Sequence, residues 1–323
     1  VLFHPYSSPF SSLFYSAAKG KPARSADAFL LRADGQTGKE GYPVARKRLT
    51  QRFPFLLPLR RWQRRVCFYL KMRLDKNRYA AGFDEPLPFE AYRCATPMIN
   101  PNSGFGRVDP VLQDNKAVNL ALAAPKINGI LIRPGETFSF CLATRRADRK
   151  TPYKDGLNLV DGKIVGSYGG GLCHMSNLLY WLFLHSPLTV VERHGHAVES
   201  FPPAEDDRPA GVDATVSEGW LDLKVRNDTA AAWQLRITFD GDVMTGALRT
   251  DRPVAFAYTV ENGFVRYDRR DGRVFQTASV CRRCTALADG RTAEETLYEN
   301  VCEIGYPLPE EAGAAGEERM LEE

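Results

Sequence analysis

Apolar residues recur at intervals of three and four along residues 169–183, GGGLCHMSNLLYWLF. At about 100° per residue, this period predicts a helix with one apolar stripe that faces the core. The stripe consists of Met175, Leu178, Leu179, Leu182 and Phe183. Cys173 lies off the stripe, and we predict that it shares a substrate-binding face with three further residues, Ser176, Asn177 and Tyr180.

Beyond residue 210 the helical period gives way to alternation and to runs of β-branched and aromatic residues, which are typical of strands. Turn signals at Asp240-Gly241, Asn262-Gly263 and Asp271-Gly272 separate these runs and predict an antiparallel meander. Earlier in the chain, residues 115–128 predict a helix that Pro125 kinks or ends. Helices followed by strands favour an α+β fold, with helices in the N-terminal half packed on an antiparallel sheet in the C-terminal half.

The same patterns divide the chain into five segments. Residues 1–45 show no sustained period and are predicted to be a poorly ordered extension, whereas residues 46–78 predict a basic amphipathic helical segment. Residues 79–250 form the predicted core domain, and residues 251–309 a β-rich part packed on it. The acidic residues 310–323 are predicted to be a frayed tail.

Composition is that of an ordinary globular protein: 323 residues, 44% of them hydrophobic and 25% charged, with a net charge of +4. This even balance disfavours nucleic acid as a partner. No run reaches the about 18 apolar residues that a spanning helix needs. Seven cysteines, an odd number, are typical of reduced thiols. We therefore expect a cytoplasmic protein, with peripheral attachment to the inner membrane face as an additional expectation.

Positive charge is concentrated in residues 46–78, which contain twelve basic residues and one acid. An apolar stripe with helical spacing runs through this segment and consists of Leu59, Trp62, Val66, Leu70 and Leu74. The favoured interpretation is a helix that docks on the main domain through this stripe and keeps its arginines in water. The alternative is contact with an anionic membrane surface through Arg60, Arg61, Arg64, Arg65 and Trp62.

Three glycines, Gly169, Gly170 and Gly171, precede Leu172 and Cys173. A thiol at the amino end of a helix lies near unpaired backbone N–H groups and the positive end of the helix dipole, and both favour the thiolate. Glycine permits the backbone conformations of a sharp helix entry and the close approach of a substrate. The pattern fits a cysteine nucleophile, and it equally fits a glycine-rich turn before an inert cysteine.

A cysteine nucleophile needs a base, and the base needs an orienting group. The segment LTVVERHGHAVESF is typical of a strand that holds His194 and His196 on one side, and GVDATV predicts a further strand that carries Asp213. Cysteine, histidine and acid follow one another in this order in papain-like and transglutaminase-type hydrolases. We therefore predict that Cys173 is the nucleophile, His196 or His194 the base, and Asp213 the orienting acid.

Metal and cofactor sites are not expected. The candidate residues just named and His174 suffice in number for zinc, but none of their pairs has a familiar chelating spacing. A second cluster, Cys281 and Cys284 in CRRC followed by Cys302, lacks a fourth ligand for a structural zinc site. The turn signal Asp289-Gly290 instead predicts that Cys281 and Cys302 lie on neighbouring strands of a hairpin.

Four stretches of the chain resemble the VanW family, accessory proteins that are associated with vancomycin-resistance gene clusters. They are RPGETFSF, GGGLCHMSNLLYWLFLHSPLTVVERHGHAV, GVDATVSEGWLDLKVRNDT and LYENVCEIGYPLP. The resemblance spans residues 47–309, and the basic block at residues 46–73 is similar to the start of the short, single-domain members. Members commonly carry glutamine after the cysteine, where this chain has His174.

The resemblance implies a role in glycopeptide resistance and peptidoglycan metabolism, with a peptidoglycan peptide or precursor as the ligand. Together with the candidate site, it predicts a thiol hydrolase or acyl-transferase that acts on an amide bond. The alternative is a non-catalytic module that binds peptidoglycan precursor or an envelope enzyme through the glycine-rich groove. In either case the predicted groove contacts include Gly169, Gly170, Gly171 and His174.

Overall fold

The computed structural model describes residues 53–99, 109–160, 163–200, 202 and 208–308. The predicted extension and the predicted acidic tail lie outside these ranges. Contacts divide the chain into a first unit, Val1–Leu57, and a second unit, Pro58–Glu323, which holds every described strand. The division of the chain into five segments stays a prediction.

The helices in the described ranges are α1 (Leu57–Leu74), α2 (Pro110–Ala123), α3 (Phe140–Ala143) and α4 (Leu172–Leu184). Helix α2 begins before the predicted residue 115, because Asp109 is its N-cap and accepts a hydrogen bond from the N–H of Val111 at 2.9 Å. The α-helix ends at Ala123, and Pro125 lies in a following 3₁₀ turn, which confirms the predicted end.

The described strands form three sheets and one isolated hairpin. In order across the first sheet lie β1 (Arg78–Tyr79), β5 (Glu136–Ser139), β10 (Lys224–Arg226) and β8 (Thr189–Glu192). The second sheet contains β2 (Gly82–Phe83), β4 (Ile130–Ile132), β11 (Trp233–Asp240), β12 (Val243–Thr250) and β3 (Phe89–Pro97). The third contains β13 (Phe256–Arg270), β14 (Arg273–Ala286), β15 (Thr292–Ile304) and β9 (Val198–Glu199). The hairpin pairs β6 (Asp155–Val160) with β7 (Lys163–Tyr168).

The α+β class is confirmed, but helices and strands are less segregated than predicted. Seven strands precede α4, and two strand pairs, β1 with β5 and β15 with β9, are parallel. The turn at Asp271-Gly272 is confirmed, because both residues have positive φ and join β13 to β14. Asn262-Gly263 is not a turn. It is a bulge inside the continuous strand β13, where the register shifts between Asn262 and Phe264.

Helix α4 lies at the centre of the core. Its predicted apolar stripe is confirmed, since every member of the stripe is at most 1% exposed. The helix packs on β12 and β3, and Gly246 of β12 permits a close approach. A Cβ atom at Gly246 would lie 2.9 Å from a methyl of Leu182 and 3.1 Å from one of Leu178. Close packing on the second sheet therefore fixes the distance between α4 and the sheet, and this distance sets the position of Cys173.

Helix α1 docks through a different face from the predicted one. The predicted stripe faces solvent, with Leu59, Trp62 and Leu74 exposed at 61%, 62% and 74%. A neighbouring side of α1 makes the contacts: Met72 is 6% exposed, and Tyr69 donates a hydrogen bond to the carbonyl of Cys141 at 3.1 Å. The prediction that the stripe docks on the main domain is therefore wrong, because polar and aromatic contacts take its place. None of the described helices combines the length and the apolar character of a membrane span.

Candidate functional site: a cysteine, histidine and aspartate cluster

The thiol lies in the first turn of α4. The residue before the helix, Gly171, has a φ of 101°, a left-handed conformation that glycine adopts at low cost. The Sγ atom of the half-buried Cys173 lies 3.4 Å from the hydroxyl of Thr215 and 3.6 Å from the carbonyl oxygen of Val216. The N–H of Val216 points at the same sulfur, at 3.5 Å. The protonated thiol thus has an acceptor, and the thiolate has a donor.

The glycines before α4 pack against the protein's own chain. A Cβ atom at Gly170 would lie 2.2 Å from the carbonyl oxygen of Gly156 in β6, and one at Gly171 would lie 2.3 Å from Cγ of Lys116 in α2. Gly169 has a φ of 73°. The close approach that these glycines permit is therefore intramolecular, and their predicted contact with a substrate stays a prediction.

The histidine and the acid lie outside regular strands, contrary to the prediction. Strand β8 ends at Glu192, and residues 212–216 have no regular structure. The N–H of His196 donates to Oδ2 of Asp213 at 2.7 Å, so a side-chain carboxylate takes the place of a strand partner. The side chains at these two positions are therefore oriented by each other and not by a β-ladder.

The three predicted residues come together as a linked array. Nδ1 of His196 lies 2.5 Å from Oδ2 of Asp213, which leaves Nε2 for the thiol. Burial disfavours the charged imidazole, but hydrogen bonds to Asp213 and Cys173 outweigh it and raise the pKa of His196 to about 10. Burial likewise disfavours the thiolate, yet the interaction with His196 holds the pKa of Cys173 below its ordinary value. The array favours a thiolate beside an imidazolium.

Arg193 supports the acid from behind and was not anticipated from the sequence. Its guanidinium donates to Oδ1 of Asp213 at 2.5 Å and to the carbonyl oxygens of Asp213 and Gly211 at 2.6 and 2.8 Å. It also donates to Asn300 at 3.2 Å and stacks 4.5 Å from the ring centre of Tyr298. After the opposing effect of burial, the hydrogen bond from His196 and the charge of Arg193 hold the pKa of Asp213 low.

The third sheet holds the segment that leads into the acid. The amide of Asn262, at the bulge in β13, donates to the carbonyl oxygens of Ala210 and Ser279 at 2.9 and 3.0 Å. Its oxygen accepts from the N–H of Ala210 at 2.9 Å. Tyr298 of β15 donates to the carbonyl oxygen of Gly211 at 3.2 Å. The bulge at Asn262, predicted as a turn, is thus a clamp: its hydrogen bonds hold the chain at Ala210, three residues before Asp213.

The structure places His194 away from the thiol array. Its Nε2 lies 3.1 Å from Oε1 of Glu192, whose other oxygen accepts a hydrogen bond from Lys224 at 2.8 Å. The backbone carbonyl oxygen of His194 accepts a hydrogen bond from the N–H of Thr215, two residues after Asp213, at 2.7 Å. Of the two histidines that the sequence left open, His196 is the one that lies with Cys173 and Asp213.

The remaining predicted contacts lie beneath the thiol or beside it. Ser176 and Tyr180 are 0% and 1% exposed, so they support the site from below and line no open groove. Ser176 Oγ lies 2.5 Å from the carbonyl oxygen of Ala214, and the hydroxyl of Tyr180 donates to that of Tyr298 at 2.9 Å. Asn177 accepts from the N–H of Ala214 at 2.7 Å. These contacts hold the segment of the acid on α4.

His174 points to a different neighbourhood from Cys173. Its Nε2 lies 3.3 Å from the hydroxyl of Thr96. Burial, together with the charges of Lys116 and Arg208, holds the pKa of His174 well below its ordinary value, so the ring is neutral at neutral pH. His174 therefore does not add a second imidazolium to the thiol array.

No set of three or more histidine, cysteine or acidic side chains in the described ranges is arranged to hold a metal ion. Cys281 and Cys302 lie on the neighbouring strands β14 and β15, as predicted, but they face Thr296 and Gln276 and not each other. All seven cysteines are free thiols.

Comparison with known proteins agrees with the resemblance noted in the sequence. A family model described as VanW like protein matches residues 115–249. The chain is 49% identical over 267 residues to the Vancomycin B-type resistance protein VanW of Enterococcus faecalis (strain ATCC 700802 / V583), which covers 82% of this chain and 96% of that protein. It is 33% identical over 113 residues to the uncharacterized protein YoaR of Bacillus subtilis (strain 168), with 35% of this chain and 36% of that protein covered. No solved structure matches the chain.

Proposed function

Because the chain belongs to the VanW family, we propose that it is a glycopeptide-resistance protein whose Cys173 transfers acyl groups of cell-wall peptides. The printed name of the Enterococcus faecalis relative supports the link to vancomycin resistance. The catalytic part rests on one observation: Cys173, His196 and Asp213 form a continuous interacting array at the amino end of a helix. The proposed substrate is an amide bond in a peptidoglycan peptide or precursor.

The first half of the proposed reaction forms a thioester. The thiolate of Cys173 attacks the carbonyl carbon of the amide, and the negative charge moves to the carbonyl oxygen. Backbone N–H groups in the uncapped first turn of α4 are placed to stabilise that oxygen. The imidazolium of His196 then gives its proton to the departing nitrogen as the C–N bond breaks. An amine leaves, and the acyl group stays on sulfur.

The second half releases the acyl group. Neutral His196 takes a proton from water or from an acceptor amine, which attacks the thioester carbonyl. The C–S bond breaks, the product carries the acyl group, and the thiolate and imidazolium are restored. Asp213 keeps the ring orientation throughout, because it accepts from both the backbone N–H and Nδ1 of His196.

A test of acyl transfer uses p-nitrophenyl acetate as the acyl donor. We expect a burst of about one p-nitrophenolate per protein, because acylation of a thiolate by an activated ester outpaces hydrolysis of the thioester. Peptide mass mapping is expected to find the acetyl group on Cys173. Cys173→Ala removes the burst, whereas Cys67→Ala, at an exposed thiol on α1, leaves it intact. A folded protein with no burst would favour the alternative, a module that binds cell-wall peptide without chemistry.

We further propose that α1 holds the protein on an anionic membrane surface. Its solvent-facing stripe, with Trp62 exposed at 62%, is joined by the equally exposed Trp220, over which the guanidinium of Arg64 lies at 4.9 Å. By helical geometry Arg73 lies among the stripe residues, and Arg60 and Lys71 lie to one side of them. A cleft of about 680 Å³ beside the stripe adds further apolar and basic residues, among them Leu142, Arg73, Arg145 and Arg146.

Charge complementarity selects an anionic surface as the partner of this stripe, because no acidic side chain lies in the sequence of α1. Two arginines of the predicted set do not support this contact: Arg61 lies on the opposite side of α1 from the stripe. Arg65 is paired with Glu218 at 3.1 Å and serves docking within the protein. All seven cysteines are free, which is typical of a reducing compartment and supports the cytoplasmic face as the location.

Vesicle sedimentation tests the membrane surface. Each basic residue near an anionic surface contributes about 1 kcal/mol, so Arg60→Gln is expected to weaken binding to phosphatidylglycerol-containing vesicles about fivefold. Arg269→Gln, at an exposed position on β13, is expected to change nothing. Binding is expected to fall as salt rises. Equal binding to pure phosphatidylcholine vesicles would contradict the proposal.

A further inference from the structure

The cleft of about 680 Å³ beside α1 has the size of a site for a single ligand. It opens between α1 and the segment 142–146, which contains the end of α3 and the two residues after Thr144. Its apolar lining consists of Trp62, Val66, Leu70 and Leu142. The cleft therefore offers an apolar surface to part of a ligand and has room for one molecule.

The basic side chains of the cleft are mostly unpaired. Arg73, Arg145 and Arg146 line it, and none of them forms an ion pair with an acidic side chain in the described ranges. Two acids contact other lining residues, but Asp75 and Glu218 already accept hydrogen bonds from tyrosines of the cleft at 2.7 and 2.6 Å. The described part of the chain thus leaves an excess of positive charge beside an apolar wall, which is the complement of an anionic amphiphile.

The protein itself holds these arginines in place. Tyr69 is fixed by its hydrogen bond to Glu218, and the guanidinium of Arg145 lies 4.1 Å from the centre of its ring. Arg146 has a φ of 59°, which is uncommon for a residue other than glycine, and its carbonyl oxygen accepts from the N–H of Arg149 at 3.1 Å. A ligand therefore meets a site that is already organised, and this lowers the cost of binding.

The cleft also lies a short distance from the thiol. Tyr69 donates to Glu218, and two residues before Glu218 the N–H of Val216 lies 3.5 Å from the Sγ atom of Cys173. Two residues span at most about 7 Å, so the Tyr69 hydroxyl and the sulfur are no more than about 20 Å apart. About six extended residues cover that distance. A short peptide attached to a ligand in the cleft is therefore long enough to reach Cys173.

We infer that the cleft binds the phosphate of one membrane lipid, and that the peptide that reacts at Cys173 is attached to this lipid. Guanidinium groups match the geometry of phosphate oxygens, and the apolar wall takes the first carbons of the lipid chain. This inference deepens the proposed function, on which it rests for the chemistry at Cys173 and for the membrane contact of α1. It names the substrate class as a peptide joined to a lipid through phosphate.

Two thiol reagents that share one reactive end test this inference. The first is dihexanoylphosphatidylethanolamine whose amine carries an iodoacetyl-triglycyl group, and the second is iodoacetyl-triglycine amide, which has neither phosphate nor lipid. With the lipid reagent below its micellar concentration, we expect it to alkylate Cys173 about tenfold faster, because binding in the cleft raises its effective concentration at the thiol. Peptide mass mapping measures the rate at Cys173 separately from that at the exposed Cys67.

Substitution of one cleft arginine locates the effect. In Arg146→Gln the ratio of the two rates is expected to fall about fivefold, because one cation beside the phosphate is lost. Arg149→Gln, at an exposed arginine of the same segment that does not line the cleft, keeps the ratio. Equal rates for the two reagents, or an unchanged ratio in folded Arg146→Gln, overturn the inference.

Competition on the unsubstituted protein covers the case in which Arg146→Gln does not fold. Octyl phosphate is expected to slow the lipid reagent in a saturable manner and to leave the lipid-free reagent unaffected. Octanol and inorganic phosphate have little effect at the same concentration, because each lacks one of the two parts that the cleft recognises. Equal protection by inorganic phosphate identifies a soluble phosphate as the ligand and overturns the assignment to a lipid.

The outcomes also separate this inference from the proposed function. A normal acetylation burst and normal vesicle binding, with a rate ratio that ignores Arg146, leave the nucleophile and the membrane contact in place and remove the lipid site. A rate ratio that depends on Arg146, without any burst, leaves a lipid-phosphate site near a thiol that performs no acyl transfer.

Discussion

Replacement of His196 by glutamine is expected to slow the alkylation of Cys173 near pH 6 by about ten- to a hundredfold. In the intact protein the interaction with His196 outweighs burial and keeps the pKa of Cys173 below its ordinary value. Glutamine keeps a polar group at this position but removes the charge, so burial then raises the thiol pKa. Below the thiol pKa, each unit of that rise lowers the fraction of thiolate tenfold. The more basic thiolate is a stronger nucleophile, and this offsets about half of the loss in rate on a logarithmic scale.

The rate of reaction with iodoacetamide, followed from about pH 5 to 10.5, checks this prediction. The intact protein is expected to show an inflection below that of free cysteine, since the folded pKa of Cys173 is lowered. The ion pair then persists until His196 loses its proton near its raised pKa of about 10. His194→Gln is the matched control, because His194 is paired with Glu192 and not with the thiol. Equal shifts in both variants would refute the assignment of the base.

Replacement of Arg193 by methionine is expected to lower the free energy of unfolding by about 3–5 kcal/mol at neutral pH. The Arg193 side chain is 13% exposed and that of Asp213 22%, so the carboxylate would remain largely out of water with one of its two cationic partners, His196, in place. The carbonyl oxygens of Asp213 and Gly211 would lose donors at the same time. Methionine keeps the aliphatic volume, and the loss therefore reflects charge and hydrogen bonds.

Urea unfolding of the two proteins measures this difference. Arg269→Met, on the exposed part of β13, is the control and is expected to stay within about 0.5 kcal/mol. The pKa of Asp213 is lower in the folded protein than in the unfolded chain, where it is about 3.9. The ionised carboxylate therefore stabilises the fold above the unfolded pKa, and this stabilisation is lost as pH falls through the folded pKa. The deficit of Arg193→Met is accordingly expected to shrink in acid. A deficit under about 1 kcal/mol at neutral pH would contradict the role given to this arginine.

Much of the fold follows from local sequence patterns. The stripe on α4 was predictable because five apolar residues at helical spacing have no other means of burial. The position of Cys173 in the first turn of α4 follows from the same phase and from Gly171, which begins the helix. The turn at Asp271-Gly272 was predictable because such dipeptides adopt positive φ readily.

Features that depend on distant parts of the chain were not predictable. Helix α1 has two faces able to make contacts, and only the position of Glu218 and Cys141 in the fold decides that Tyr69 turns inward and Trp62 outward. The same reason separates His194 from His196, since strand β8 ends before either histidine and the alternation of a strand no longer applies. Arg193 gave no signal, because arginines are mostly exposed and its partners come from residues 211–213 and 300.

The hydrogen bonds of Asn262 determine which part of the chain a gene fusion must transfer to keep the site intact. The family match ends at residue 249, and the predicted core domain at residue 250, so both contain Cys173, His196 and Asp213. Both omit Asn262 and Tyr298, whose hydrogen bonds hold the chain just before the acid. A gene fusion that inherits only the shorter region would encode all three residues of the array without the support of the acid. A complete site therefore requires the third sheet in addition to the region that carries its three residues.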